Sequence, residues 1–219
     1  IDVGGESTRP GSDLISEEEE LKRIVPVIKR LVNEVKAPIS IDTYKPNVAE
    51  KCIKLGAHLV NDITGLRNKE MIEVISKHKV PVAIMHMKGE PKNMQQNPTY
   101  NDVIYEIKEF LSSRIKEAHN AGINDIIIDP GIGFGKTTKH NLQILKRLNE
   151  FKDLNCPILV GPSRKSFIGN IIGLPASERL EGTLAAISIA VLNGANIIRV
   201  HDVKECKRAV QIVDAVKNA

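Results

Sequence analysis

Asp125-Ile126-Ile127-Ile128-Asp129-Pro130-Gly131-Ile132-Gly133-Phe134-Gly135-Lys136-Thr137 is the stretch on which the fold turns. A short β-branched apolar run closes on a carboxylate and then opens into a glycine-rich loop. That pattern predicts a buried strand, Asp125–Asp129, delivering Asp129 to its C-terminal end. An amphipathic helical pattern follows over Lys139–Phe151 and leads into the next apolar run, Pro157–Val160. Upstream the same unit recurs, with strands predicted at Ile1–Gly4, Pro38–Asp42, His58–Asn61 and Pro81–His86; downstream the last is Asn196–Val200. Helices are predicted between them over Glu17–Val35, Asn47–Leu55, Lys69–Lys77, Asp102–Ala121 and Ser177–Leu192, with Lys204–Lys217 at the end. Ser16 precedes four glutamates, a good N-cap and a charge that suits the helix dipole. Gly56, Gly122 and Gly194 stand where helices should stop.

Strict strand–helix alternation means a parallel sheet covered by helices. An open doubly wound sheet would keep its glycine-rich phosphate turn after the first strand and few functional groups elsewhere. Here polar residues stand at nearly every strand end: Glu6, Asp42, Asn61, His86, Asp129, Ser163 and His201. That ring predicts a TIM-type (β/α)8 barrel. Seven strands are counted, so the first βα unit of the barrel is expected ahead of Ile1. Residues 1–219 read as a single domain.

Composition is ordinary for a globular chain, 42% hydrophobic and 26% charged, with a net charge of +4 that forms no basic block. Aromatics are 3% with no Trp, which argues against nucleic acid as a partner. No apolar run approaches the roughly 20 residues of a membrane span. Cys52, Cys156 and Cys206 form no CxxC pair, which predicts a reducing, cytoplasmic setting.

Five motifs remain to be read. Gly4-Gly5-Glu6-Ser7-Thr8-Arg9-Pro10-Gly11 is a flexible, anion-capable loop, or an ordinary turn with a solvated arginine. Asp42 in Ser40-Ile41-Asp42-Thr43 could cap a helix or meet a ligand; Thr43 is the better cap, which tilts Asp42 towards the ligand. Asn61-Asp62 is ambiguous in the same way. Gly131–Lys136 is no P-loop, because that spacing needs glycine where Pro130 stands, and the dinucleotide spacing fails too. Asp129 can accept two N–H bonds from a ligand edge. Val160-Gly161-Pro162-Ser163-Arg164-Lys165-Ser166 could be a helix start with exposed cations. Arg199 and His201, two apart on a strand, should share a side and form a phosphate site. His58, His78, His119 and His140 read as structural, His86 is a weak pocket candidate, and no metal cluster is apparent.

In order, GGESTRPG, SIDT, NDITG, MHMKGEPKNMQ, IIDPGIGFGK, GPSRKSFIG and IRVHDV resemble the dihydropteroate synthase family over the whole chain. The resemblance implies a sulfonamide-targeted transferase of folate biosynthesis. It would condense 6-hydroxymethyl-7,8-dihydropterin pyrophosphate with 4-aminobenzoate, releasing pyrophosphate. It further implies that Asn61 and Asp129 hold the 2-amino edge of the pterin, that Lys165 lies over the ring and bonds its carbonyl, and that Asp42 sits near the reacting methylene. Met85, Phe134 and Gly161 would wall the pocket. Arg199 and His201, joined by Arg9, would hold the diphosphate, and Thr8, Arg9, Pro10 and Ser163 would shape the aminobenzoate site. Asp42, Lys165, Arg199 and His201 are thus the expected catalytic set. Magnesium is expected with the diphosphate, its protein ligand lying in the absent first unit, and the family implies a homodimer. A methyltetrahydrofolate-dependent methyltransferase would lack the STRPG and SRK loops, and a non-catalytic homologue would be favoured by loss of Lys165 or Arg199.

Overall fold

The structure, a computed structural model, describes residues 1–9 and 11–219. Seven parallel strands follow one another in chain order: β1 (Asp2–Val3), β2 (Ser40–Asp42), β3 (Leu59–Asp62), β4 (Val82–Met85), β5 (Ile126–Asp129), β6 (Leu159–Val160) and β7 (Ile197–Ile198). β1 to β5 form one sheet and β6 pairs with β7; a bridge between Ile128 and Ile158 joins the two. All seven expected strands are present. Among the described residues β1 pairs only with β2, and β7 only with β6.

The helices are α1 (Glu17–Glu34), α2 (Pro46–Lys54), α3 (Lys69–His78), α4 (Val103–Asn120), α5 (Thr138–Lys146), α6 (Ser166–Ile172), α7 (Leu180–Leu192) and α8 (Val203–Lys217). Polar side chains start several of them. Ser16 accepts from Glu19 N, Asn68 from Glu70 N, and Thr137 forms a reciprocal capping box with His140. Gly56, Gly122 and Gly194 end α2, α4 and α7 at positive φ, where a Cβ would be strained. Two expectations need correction. The helix expected over Lys139–Phe151 tightens into 3-10 geometry at Leu148–Leu154, and the segment before α7 contains a separate helix, α6.

Register places the core and the mouth on opposite faces. Ile41, Val60, Val82 and Ile126 align across β2 to β5 and point outward. There they pack with Ile24 and Ile28 of α1, Val48 and Cys52 of α2, Met71 and Ile75 of α3, and Ile104, Ile107 and Leu111 of α4. Each such buried side chain contributes about 1.5–3 kcal/mol of transfer free energy. The alternate residues line the inner face: Asp2 opposite Ser40, Asp42 opposite Asn61, Asn61 opposite Ala83, and Met85 opposite Asp129. The polar groups are therefore turned into the barrel at its C-terminal end.

Candidate functional site

The first corner of the site is built on β1, β2, β3 and the end of β7. Arg199 spans two strands, donating from Nε to Asp2 Oδ2 at 2.6 Å and from Nη2 to Asp42 Oδ2 at 2.9 Å. Asn61 Nδ2 donates to the same Asp2 Oδ2 at 3.2 Å. Asp2 Oδ1 and Asp42 Oδ1 are buried without a hydrogen-bond partner. Burial, and then the charge of Asp2, push the Asp42 carboxyl up to about 7 against the opposing pull of Arg199.

The opposite wall comes from β4, β5 and the loop after β5. Asp129 Oδ1 accepts from Gly131 N at 2.7 Å, and burial raises its carboxyl above the usual range despite Lys165. Met85 and Phe134 sit together in a small apolar cluster with Ile63, Met87 and Met94. Lys165 Nζ lies 4.6 Å from the centre of the Phe134 ring and donates to the Ile132 carbonyl. Burial pushes this ammonium down to about 8, with Asp129 opposing.

The loop that presents these groups is held from behind. Lys136, 2% exposed, donates to Phe134 O at 3.0 Å and to His86 O at 3.3 Å, and meets His86 Nδ1 at 3.0 Å. Burial and the Lys136 charge push His86 down to about 2. Gly131 has φ of +71°, and a Cβ there would lie 1.9 Å from His86 O, so the loop crosses β4 backbone to backbone. Lys136 faces inward and is unavailable to a phosphate, in keeping with the rejected P-loop.

Arg199 and His201 do not converge as a strand pair, because β7 stops at Ile198 and both residues stand beyond it. Arg199 turns to Asp2 and Asp42, whereas His201 Nδ1 meets Ser163 Oγ at 2.9 Å. Burial and then the charges of Arg164 and Arg199 lower the His201 imidazole; Arg9 adds a smaller push, so these cations surround one region. A Cβ on Gly161 would lie 3.6 Å from Arg199 Cβ, which puts Gly161 on the same face. Thr8 is half-buried and Arg9 exposed in the loop after β1, while Pro10 lies outside the described residues. Gly11 N donates to Pro91 O at 3.2 Å and Gln95 Nε2 to Gly133 O at 2.5 Å, linking three loops into one rim.

Some strand-end residues are structural. Glu6 accepts from Lys45 Nζ at 2.6 Å, Tyr44 Oη at 2.7 Å and Ile15 N at 3.0 Å. His86 is locked against Lys136. Asp62 caps a turn through Thr64 and Leu66, which separates it from Asn61. Thr43 Oγ1 accepts from Lys45 N, so Lys45 and not Thr43 occupies the cap position of α2. Two clefts, of 190 and 440 Å³, lie outside the site, beside α4–α5 and between β7 and α8.

Two site residues escape the sequence reading. Asp2 falls within the expected strand Ile1–Gly4, and its alternation with Val3 puts it on the inner face. Arg164 has φ of +57°, uncommon without glycine, and its guanidinium holds Asp202 at 2.5 and 2.9 Å. Its carbonyl accepts from Arg179 Nη1 and its N–H donates to Thr183 Oγ1, which fixes the backbone that delivers Lys165.

Two acceptors facing an apolar wall, under a lysine and beside a doubly anchored arginine, suit a flat, N–H-rich anionic heterocycle. The family model described as "Pterin binding enzyme" matches residues 1–201. The chain belongs to this family. It is 47% identical to the dihydropteroate synthase of Escherichia coli K12, over 100% of the chain and 78% of that relative. The solved Yersinia pestis dihydropteroate synthase with a sulfonamide drug complex superimposes with a TM-score of 0.98 at 45% identity, covering 100% of the chain and 80% of its own. The Clostridium difficile enzyme in the presence of pteroic acid matches at a TM-score of 0.93 and 46% identity, covering 99% and 81%.

Proposed function

We propose that the protein is a dihydropteroate synthase, a transferase of folate biosynthesis. Likeness to such enzymes over essentially the whole chain supports this reading over a methyltransferase or a non-catalytic homologue. The observation that carries it is the inner face itself: strand register turns Asn61, Met85 and Asp129 to one side of the sheet, and Lys165 lies over Phe134, which packs with Met85. A pterin entering edge-first would give its ring N–H and 2-amino donors to Asp129 and Asn61, and its carbonyl to Lys165 in place of Ile132 O.

The C–O bond between the pterin methylene and diphosphate then breaks, the electron pair leaving with the diphosphate. Arg199, Arg9 and His201 receive that negative charge, and ionised Asp42 stabilises the developing cation. The neutral amine of 4-aminobenzoate forms the new C–N bond and loses its proton, so no strong base is required. Thr8, Arg9, Pro10 and Ser163 are the proposed aminobenzoate contacts.

Magnesium is proposed as a companion of the diphosphate. The described residues hold no group of three or more His, Cys, Asp or Glu side chains suited to a metal. Bound beside the diphosphate, magnesium would neutralise leaving-group charge. We also propose a cytoplasmic homodimer. The free thiols of Cys52, Cys156 and Cys206 support a reducing compartment, and no described helix is long and apolar enough to cross a membrane.

The test is pyrophosphate release. It is expected only with both substrates present, and to be lost in Asp129→Asn while thermal stability stays near normal, because an amide presents a donor to a donor edge. Release without 4-aminobenzoate at the same rate would refute the synthase reading.

A further inference from the structure

Asp2 Oδ2 is one atom serving two donors, Arg199 Nε at 2.6 Å and Asn61 Nδ2 at 3.2 Å. Arg199 Nε can only donate, and a carboxylate oxygen facing it can only accept. The same atom therefore compels Asn61 to turn its NH2 towards Asp2. An asparagine carboxamide has two ends of opposite character, and fixing one end fixes the other. Asn61 is 7% exposed, on the inner face beside Asp42, so the end left over, Oδ1, is a nearly buried acceptor.

We propose that Asp2 is a positioning residue that sets the donor–acceptor polarity of Asn61 and thereby selects heterocycles presenting an N–H donor to that position. The inference rests on the pterin-binding reading and deepens it. An unanchored Asn61 could rotate and donate instead, and the site would then accept a ring carbonyl where it now takes an amino group. Asp129 also favours a donor edge, but its share of the preference does not depend on what stands at position 2.

Two probes separate the polarity from other roles: 6-hydroxymethylpterin, with a 2-amino group, and its 2,4-dioxo counterpart, 6-hydroxymethyllumazine. Calorimetry gives both affinities for the unmodified protein, Asp2→Ala and Asp2→Asn. The unmodified protein is expected to prefer the pterin. Asp2→Ala is expected to reduce that preference by about tenfold or more, the worth of one hydrogen bond turned from made to opposed. Asp2→Asn keeps an oxygen able to face Arg199 Nε and Asn61, so it is expected to retain the preference. If Asp2→Ala does not fold, Asp2→Ser carries the same expectation, since its shorter hydroxyl does not compel either orientation. A merely structural Asp2 would lower both affinities together and leave their ratio unchanged, which would overturn the inference. So would an Asp2→Asn variant that loses the preference. Failure of the unmodified protein to bind 6-hydroxymethylpterin at all would strike the pterin-binding reading itself.

Discussion

Asp42 is a carboxyl that the ligand-free fold keeps protonated up to about neutral pH. Its ordinary value of about 3.9 applies to the unfolded chain, and burial lifts it to about 7 in the native one. Between those values the native state holds a proton that the unfolded state has released, so stability falls as pH rises from about 4 to 7. The slope reaches at most about 1.4 kcal/mol per pH unit for one such group. Asp42→Asn removes the titration. Melting temperature is therefore expected to decline with pH across that window more steeply in the unmodified protein than in the variant, and parallel curves would place the proton elsewhere. The same physics explains which residues were legible. Asp42, Asn61 and Asp129 each end an apolar run, and a polar group delivered by a buried strand needs a reason. Asp2 carries no such mark in the residues around it. The partner that reveals it, Arg199, lies at the other end of the chain.

At the level of elements, the strand–loop–helix unit around Lys165 depends on Arg164. A non-glycine residue at φ of +57° costs on the order of 1–3 kcal/mol and persists only if its surroundings over-determine it. Here they are the Asp202 ion pair, Thr183 and Arg179. Arg164→Ala keeps the strained backbone and removes the ion pair, whereas Arg164→Gly removes both the strain and the pair. If backbone placement of Lys165 is what matters, Gly is expected to retain more pterin affinity than Ala, by a few-fold in calorimetry. Equal losses would assign the effect to the Asp202 pair alone. The sequence could not show this unit: Ser166–Ile172 is too short and too β-branched to announce a helix, and a loop geometry enforced by α7 and α8 has no local signature. The strands were legible because β4 and β5 are nearly continuous apolar runs and the shorter ones recur between helical patterns, an alternation that left few topologies.

At the scale of the molecule, the last helices carry an apolar face that intramolecular packing does not use. α7 leaves Ile189 46% and Leu192 52% exposed, and Ala185, Ile189 and Leu192 fall on one stripe at helical spacing. α8 leaves Ile212 68% and Val216 67% exposed, one turn apart. The two helices pack side by side, so these exposed apolar residues lie on neighbouring elements. Covering such side chains in an interface is worth up to about 1.5–3 kcal/mol each, and their isolation from Asn61, Asp129 and Lys165 lets association be altered without touching the site. Sedimentation at tens of micromolar, a concentration chosen for the assay, is expected to show a dimer. Ile189→Glu combined with Leu192→Glu is expected to leave a monomer that still binds 6-hydroxymethylpterin with unchanged affinity. A dimer that survives both substitutions would move the interface off α7, and a monomer before any substitution would remove the dimer proposal. Loss of ligand binding together with the dimer would show instead that assembly shapes the pocket, through the bond by which Thr183 of α7 holds the Arg164 loop.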